Sequence, residues 1–301
     1  MRISRLDLDG VGSPDGLVAK ILKAVPDLPI PVPVEELARC LDITEIAVLT
    51  TTGYEGGLVT DEYKSEGVIL VNAEARSGRR RFTIGHELGH FLIPTHRPVS
   101  GKFMCSRADM QRWTARNNDT YARMEVEANR FSALLLMPPP RLRVVMGKLH
   151  DPDLAHIVLI ADQFDVSREA AARAYATFHD MTIAIAVVKD GKVLRVYRHV
   201  QFPKLAIEFG SLVPRNSLYN TSVNGRKKIT AIREVLADLW IRSDWGKRLP
   251  TLYEQVFHQQ NGFALILLWT EVEGQEDDLA DEDEDRTSKE RLRYRQSYHS
   301  R

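Results

Sequence analysis

The sequence predicts an α+β fold, on three observations. Helical apolar spacing recurs at residues 15–24, 79–93, 118–137 and 153–178; short β-like runs punctuated by Gly53, Gly56, Gly57 and Gly67 lie between the first two; and β-like runs return after residue 181. The 301 residues are 44% hydrophobic and 27% charged, which suits a globular chain and excludes collagen, a disulfide scaffold and a wholly disordered polymer. This length predicts two domains, or one and a half with appendages.

Taken in order, DGLVAKILKA (15–24) is followed by the proline-rich connector PDLPIPVP, which ends one helix and spaces the next, VEELARCLDI. Within 46–71, GVILVN is the best strand candidate because it is dense in Val and Ile. Helices are expected at 79–93 (RRRFTIGHELGHFLI) and 118–137 (NDTYARMEVEANRFSALLLM), the second stopped by Pro138, Pro139 and Pro140. Residues 153–178 read as two helices joined at FDVS, with Ser167 as an N-cap. TIAIAVVKDGKVLRVYRH is two apolar runs around Asp190 and Gly191, a hairpin signal, and it opens a second domain near Met181. That domain is completed by a helix near 227–241 (KKITAIREVLADLWI) and a strand at 262–272 (GFALILLWTEV). The expected organisation is a first domain over 1–150, a helix-turn-helix-like pair over 151–180, a smaller C-terminal α/β domain over 181–272 and a disordered charged tail over 273–301.

Charge and cysteine content narrow the setting. Lys plus Arg equals Asp plus Glu, 41 against 41, but ten acids and no base occupy 271–285 and six bases with one acid, Glu290, occupy 286–301. Without that tail the body is mildly positive, too weak a bias to argue for nucleic acid. Cys40 and Cys105 form no CxxC or metal-ligand spacing, so a disulfide framework is not expected and a reducing cytoplasm is. Asp7 and Asp9 fall where a signal peptide would be apolar, and no run of about 18 apolar residues occurs, so a cytosolic protein is expected.

The sharpest feature is His86, Glu87, Leu88, Gly89, His90, an HExxH. Positions i and i+4 share a helix face, so both imidazoles can reach one metal ion while Glu87 reaches a water on it. Phe82, Ile84, Phe91 and Leu92 flank the pair, and two histidines facing a core without partners would be costly. A catalytic zinc needs a third protein ligand. His96, six after His90, has metzincin spacing but follows Ile93 and Pro94 where that motif turns on glycine. Glu125, on the next long helix, would complete a His, His, Glu set, with Asn129 on its face as a partner for one ligand's ring N–H. Glu127, pointing about 160° away from Asn129, is the fallback ligand.

IPVPVEELARCLDI, GVILVN, RRRFTIGHELGHFLI, EVEANRFSALLLMP and QFDVSREAAARAY resemble, in order and spacing, the ImmA/IrrE family of metallo-endopeptidases. The resemblance covers about residues 15–178 and implies a zincin-like peptidase domain, with a small sheet whose edge strand lies beside the metal. It makes His86, His90 and Glu125 zinc ligands and Glu87 the catalytic base, and Mn2+ or Fe2+ would also accept such ligands. The substrate it implies is a helix-turn-helix transcriptional repressor, cut in stress response or mobile-element induction. Some relatives carry a GAF-like sensory domain after the peptidase, so residues 181–272 are expected to sense or dock. Members often have a histidine soon after HELGH; here the nearest is His96, behind Pro94.

Several features keep other readings open. Tyr121 and Tyr63 are candidates for stabilising the tetrahedral oxyanion, and GVILVN, if at a sheet edge, could hold an extended substrate by strand addition. Cys105 could occupy the zinc's fourth position as a latch. Arg79, Arg80 and Arg81 read as a solvated helix start or a substrate patch. The helix SREAAARAYATF offers Arg168 and Arg173 but lacks the Asn, Gln or Lys set that reads bases. The acidic tail could mimic nucleic acid. A DNA-binding regulator with a structural metal, and a module that binds a partner without cutting it, are the alternatives to a peptidase.

Overall fold

A computed structural model describes residues 1–50, 53–97, 101–116, 119–221, 228–242 and 248–270. Helix α1 (Pro14–Ala24) begins where Ser13 Oγ accepts the Gly16 amide and Pro14 presets the first turn. After α2 (Val34–Cys40) come β1 (Ile43–Leu49), β2 (Gly56–Thr60) and β3 (Gly67–Asn72), then α3 (Ser77–Leu92), β4 (Lys102–Cys105) and α4 (Thr120–Leu136). The first sheet has the order β1-β3-β2-β4, with β3 parallel to β1 and antiparallel to β2, and β4 antiparallel to β2. GVILVN is β3 and is paired on both sides, so it is not the edge strand that strand addition requires. Its Val and Ile density marks a strand but carries no information on its neighbours.

Helix α3 is buried continuously from Thr83 to Phe91 between this sheet and α4. Two glycines set how closely α4 comes. A Cβ at Gly85 would stand 2.6 Å from Ser132 Oγ, and one at Gly89 would stand 3.1 Å from Phe131 Cδ1 and 3.2 Å from Ala128 Cα. The far end of α3 is tied by Lys64, whose buried ammonium donates to the carbonyls of His90 (2.7 Å) and Ile93 (2.8 Å). Such cation-to-carbonyl bonds suit a helix C-terminus, where carbonyls lack amide partners.

The prolines stop α4 at Leu136, and Pro139 then opens α5 (Pro139–Met146), where its missing N–H costs nothing. Helices α6 (Leu154–Phe164) and α7 (Arg168–Phe178) follow, with Asp153 capping the first and Ser167 the second. The hairpin forms as β5 (Ile183–Lys189) and β6 (Lys192–Arg198), turning through Asp190 and Gly191 at φ 49° and 75°. A short turn of helix α8 (Leu218–Thr221), β7 (Arg233–Val235), β8 (Leu252–His258) and β9 (Phe263–Thr270) complete an antiparallel sheet of order β6-β5-β9-β8-β7. Ile185, Val187, Leu265 and Leu267 pack against α5–α7 on one face, and Ala184, Ala186, Ile266 and Leu268 pack around Trp240 on the other, which explains the unbroken apolar runs.

No α-helix forms over residues 228–241, which keep only a 3-10 turn at Ala237–Leu239. Thr230 N donates to Val256 O, His258 N to Lys228 O, and Arg233–Val235 pair with β8. The edge of β8 takes this β-branched segment as its partner, and pairing overrides the helical spacing. The last two residues of the strand expected at 262–272, and the charged tail, lie outside the described residues. Among the described residues no helix is long and apolar enough to cross a membrane.

Gly85→Ala/Gly89→Ala gains about 1 kcal/mol of helix propensity per site. We nevertheless expect a net loss of about 1–3 kcal/mol from overpacking against α4. A urea midpoint equal to wild type would show that α4 does not depend on these contacts.

Candidate metal centre

Because α3 carries His86, Glu87 and His90 on its buried face and α4 brings Glu125 against it, the four side chains meet in one buried cluster, each at most 1% exposed. The Nε2 atoms of His86 and His90 are 3.1 Å apart, and the Glu125 carboxylate lies 3.3 Å from the first and 3.4 Å from the second. Cys105 joins them from β4, and one ligand atom each from His86, His90, Cys105 and Glu125 lies within 4.8 Å of every other.

The hydrogen bonds behind the rings decide where their lone pairs point. Asn129 Nδ2 donates to the carbonyls of Asp109 and Arg112, both at 2.8 Å, so its Oδ1 faces His86 Nδ1 at 2.9 Å and accepts that N–H. His86 Nε2 is therefore bare. On the other side, the Glu127 carboxylate accepts from His96 Nε2 at 2.9 Å, His96 Nδ1 accepts from His90 Nδ1 at 3.0 Å, and His90 Nε2 is bare as well. Two lone pairs face each other across 3.1 Å with a carboxylate alongside, a repulsive arrangement unless a cation sits among them. Glu125 Oε2 and Glu87 Oε1 are buried without a hydrogen-bond partner. A tetrahedral ion with bonds of about 2.0–2.1 Å would separate its N and O donors by roughly 3.3–3.4 Å. The residues fit a divalent metal.

The charges agree. Burial pushes the Glu125 carboxyl up, but the two imidazoles beside it outweigh that and hold it well below the usual carboxylate range. Burial brings His90 and His96 down to about 3, so both rings are neutral at pH 7. Glu87 is raised to about 8 by burial, with Glu125 adding to the effect and His86 opposing it. The Cys105 thiol is raised by burial and by the facing carboxylates Glu87 and Glu125. A bound cation would reverse the logic for both.

Residues 45–175 match the family model described as the IrrE N-terminal-like domain, peptidase M78. This stretch is an ImmA/IrrE-family domain. The family is one of metallopeptidases, and the buried His, His, Cys and Glu fit a metal site of that kind. A solved structure of a Mycobacterium tuberculosis transcriptional regulator is 14% identical, covering 88% of this chain and 74% of that one at a TM-score of 0.47. No curated protein matches the chain.

The ImmA/IrrE domain thus brings His86, Glu87, His90 and Glu125 together, with Asn129 behind His86 as its helix phase indicates. His96 and Glu127, each weighed as a ligand, stand outside the four-donor group and line up behind His90. Tyr121 lies one turn before Glu125 on α4, within the influence of Glu125, Asp109 and Cys105. Tyr63 is 87% exposed in the β2–β3 turn, at the other end of β2 from Gly56. Arg80 pairs with Glu35 and Arg81 with Asp165. Arg173 stacks on Trp113 at 3.1 Å and Arg168 lies over Phe257, so the arginines of α7 are spent on internal contacts. Sequence reasoning missed the Gly85 and Gly89 spacing, a four-residue repeat legible in GHELGH, and Lys64, for which the sequence holds no signal.

Residues that orient a metal-bound imidazole commonly contribute 10–100-fold to affinity. Asn129→Ala and Glu127→Gln are each expected to weaken Zn2+ binding by roughly that factor, read by competition with a chromophoric chelator. Unchanged affinity in both would mean that neither support orients its ring.

Proposed function

We propose that the protein is a zinc-dependent endopeptidase that cleaves a helix-turn-helix transcriptional repressor in the cytoplasm and so relieves repression in stress response or mobile-element induction. His86, His90 and Glu125 hold the metal, which is Zn2+, or Mn2+ or Fe2+ in its place, and Glu87 is the base. The observation that supports this most is the convergence of two bare Nε2 atoms and the Glu125 carboxylate within 3.1–3.4 Å beside an unpartnered Glu87 oxygen.

The metal, when bound, supplies Lewis acidity to an amide carbonyl and makes water acidic enough to attack near neutral pH. The remaining work falls to the chain. Glu87 Oε1, which has no protein partner, takes the proton of the attacking water and passes it to the nitrogen of the leaving amine. Asn129 and the Glu127–His96 pair keep both imidazoles turned with Nε2 inward through that transfer. Tyr121 is the donor we assign to the developing oxyanion, and residues after 181 serve as the sensing or docking unit.

Glu87→Gln keeps the three ligands and the shape of the side chain but removes the base. It is expected to lower cleavage of a co-expressed helix-turn-helix repressor about 10²–10⁴-fold, while one metal per chain is retained by elemental analysis. Undiminished cleavage by this variant would refute the mechanism; loss of the metal along with activity would make Glu87 a structural residue.

A further inference from the structure

Cys105 occupies a place in the cluster that a working peptidase would leave open. Its Sγ lies 3.7 Å from His90 Nε2 and 3.8 Å from Glu87 Oε2, and the residue is 1% exposed. A sulfur bonded at about 2.3 Å to a tetrahedral ion would stand roughly 3.6 Å from a nitrogen bonded to the same ion. The buried, partnerless oxygens of Glu87 and Glu125 border the same space. The backbone holds the thiol there: Glu55 N donates to Cys105 O at 3.0 Å, and Cys105 pairs with Gly56 in the β2–β4 ladder.

The strand that carries this thiol also covers a working edge. β2 passes so close to the active helix that a Cβ at Gly56 would stand 2.3 Å from Thr83 Cγ2 and 3.0 Å from Glu87 Oε1. A peptide paired antiparallel to β2 would therefore present one residue, the partner of Gly56, directly to Glu87 and the imidazoles. β4 is such a peptide, antiparallel to β2 over Val59–Lys102 to Gly56–Cys105.

We propose that β4 is a built-in stopper: Cys105 is the fourth donor to the metal, and the strand fills the edge of β2 along which an extended substrate would lie. The thiol gives its proton to solvent as the sulfur–metal bond forms. Four protein donors leave no open position for water, as in structural rather than catalytic sites, so the resting enzyme is latent until β4 is displaced. This rests on the metal site proposed above and assigns to it a regulation that the reading itself does not require.

The test uses full-length protein loaded with Co2+. Wild type is expected to show a near-ultraviolet thiolate-to-cobalt charge-transfer band that Cys105→Ala lacks. Acetohydroxamate, which needs free positions on the metal, should perturb the visible spectrum of Cys105→Ala at concentrations about tenfold or more below those wild type requires, because only the unlatched fraction of wild type can accept it. Stoichiometric Co2+ without the band, or equal hydroxamate affinity in the two proteins, would overturn the stopper and leave the peptidase reading standing. Wild type that binds no Co2+ would overturn both. Zinc-edge X-ray absorption of wild type needs no variant: one sulfur at about 2.3 Å is expected, and a shell of nitrogen and oxygen alone defeats the idea.

Discussion

The close approach of α4 to α3 is the constraint on which the rest depends. Glu125 reaches two imidazoles on another helix only because Gly85 and Gly89 present no Cβ to Ser132, Ala128 and Phe131. Larger residues there would hold the helices apart, and a short carboxylate cannot make up the distance. The same contact fixes the rotation of α4, since Ala128 and Ser132 must face the glycines. Glu125 and Asn129 then fall on the histidine side while Glu127 falls to the rim.

Given that spacing, hydrogen bonds from opposite directions orient the rings. Asn129 is itself held by two carbonyls of the loop after β4, and His90 is held through His96 by Glu127. Neither support would suffice alone, because one misplaced tautomer would aim an N–H at the other ring's lone pair. The cost is a pocket of unpaired lone pairs and orphaned carboxylate oxygens that a folded chain tolerates poorly without a cation. The electrostatics of the cluster therefore fit a cation among its donors, as its distances do.

Much of this was legible in the sequence, because it is local. The i, i+4 spacing of His86 and His90, the position of Glu87 and the shared face of Glu125 and Asn129 all follow from the helical repeat, which the chain obeys. The hairpin at Asp190–Gly191 and the cap at Ser167 are equally local. What the sequence does not carry is adjacency. GVILVN reads as a strand at an edge or in an interior alike, and only the sheet order places it inside. Residues 228–241 have a plausible helical pattern, yet Ile229 and Arg233–Val235 pair along the edge of β8 and only Ala237–Leu239 turn as a 3-10 helix. His96 and Glu127 were visible as ligand types, yet their joint task behind His90 depends on a turn at Ile93–Pro94 that spacing alone does not predict.

The loop after β4 ties the cluster to the second sheet. Asp109 and Arg112 hold Asn129, and between them Gln111 accepts from Arg195 of β6 at 2.9 Å. One residue beyond, Trp113 stacks under Arg173 of α7, and Arg195 is itself paired with Glu169 of that helix at 2.5 Å. On the opposite flank, the left-handed Asp165 that ends α6 receives Ser77 and Arg81 from the first turns of α3. The helical pair and β6 therefore grip α3 at its start and the loop at its middle, and that loop begins one residue after Cys105. Side chains of α7 and β6 thus reach the same segment whose carbonyls hold Asn129. The support of His86 is therefore not local to the first sheet: it runs from Asn129 through the carbonyls of Asp109 and Arg112 to side chains that α7 and β6 hold.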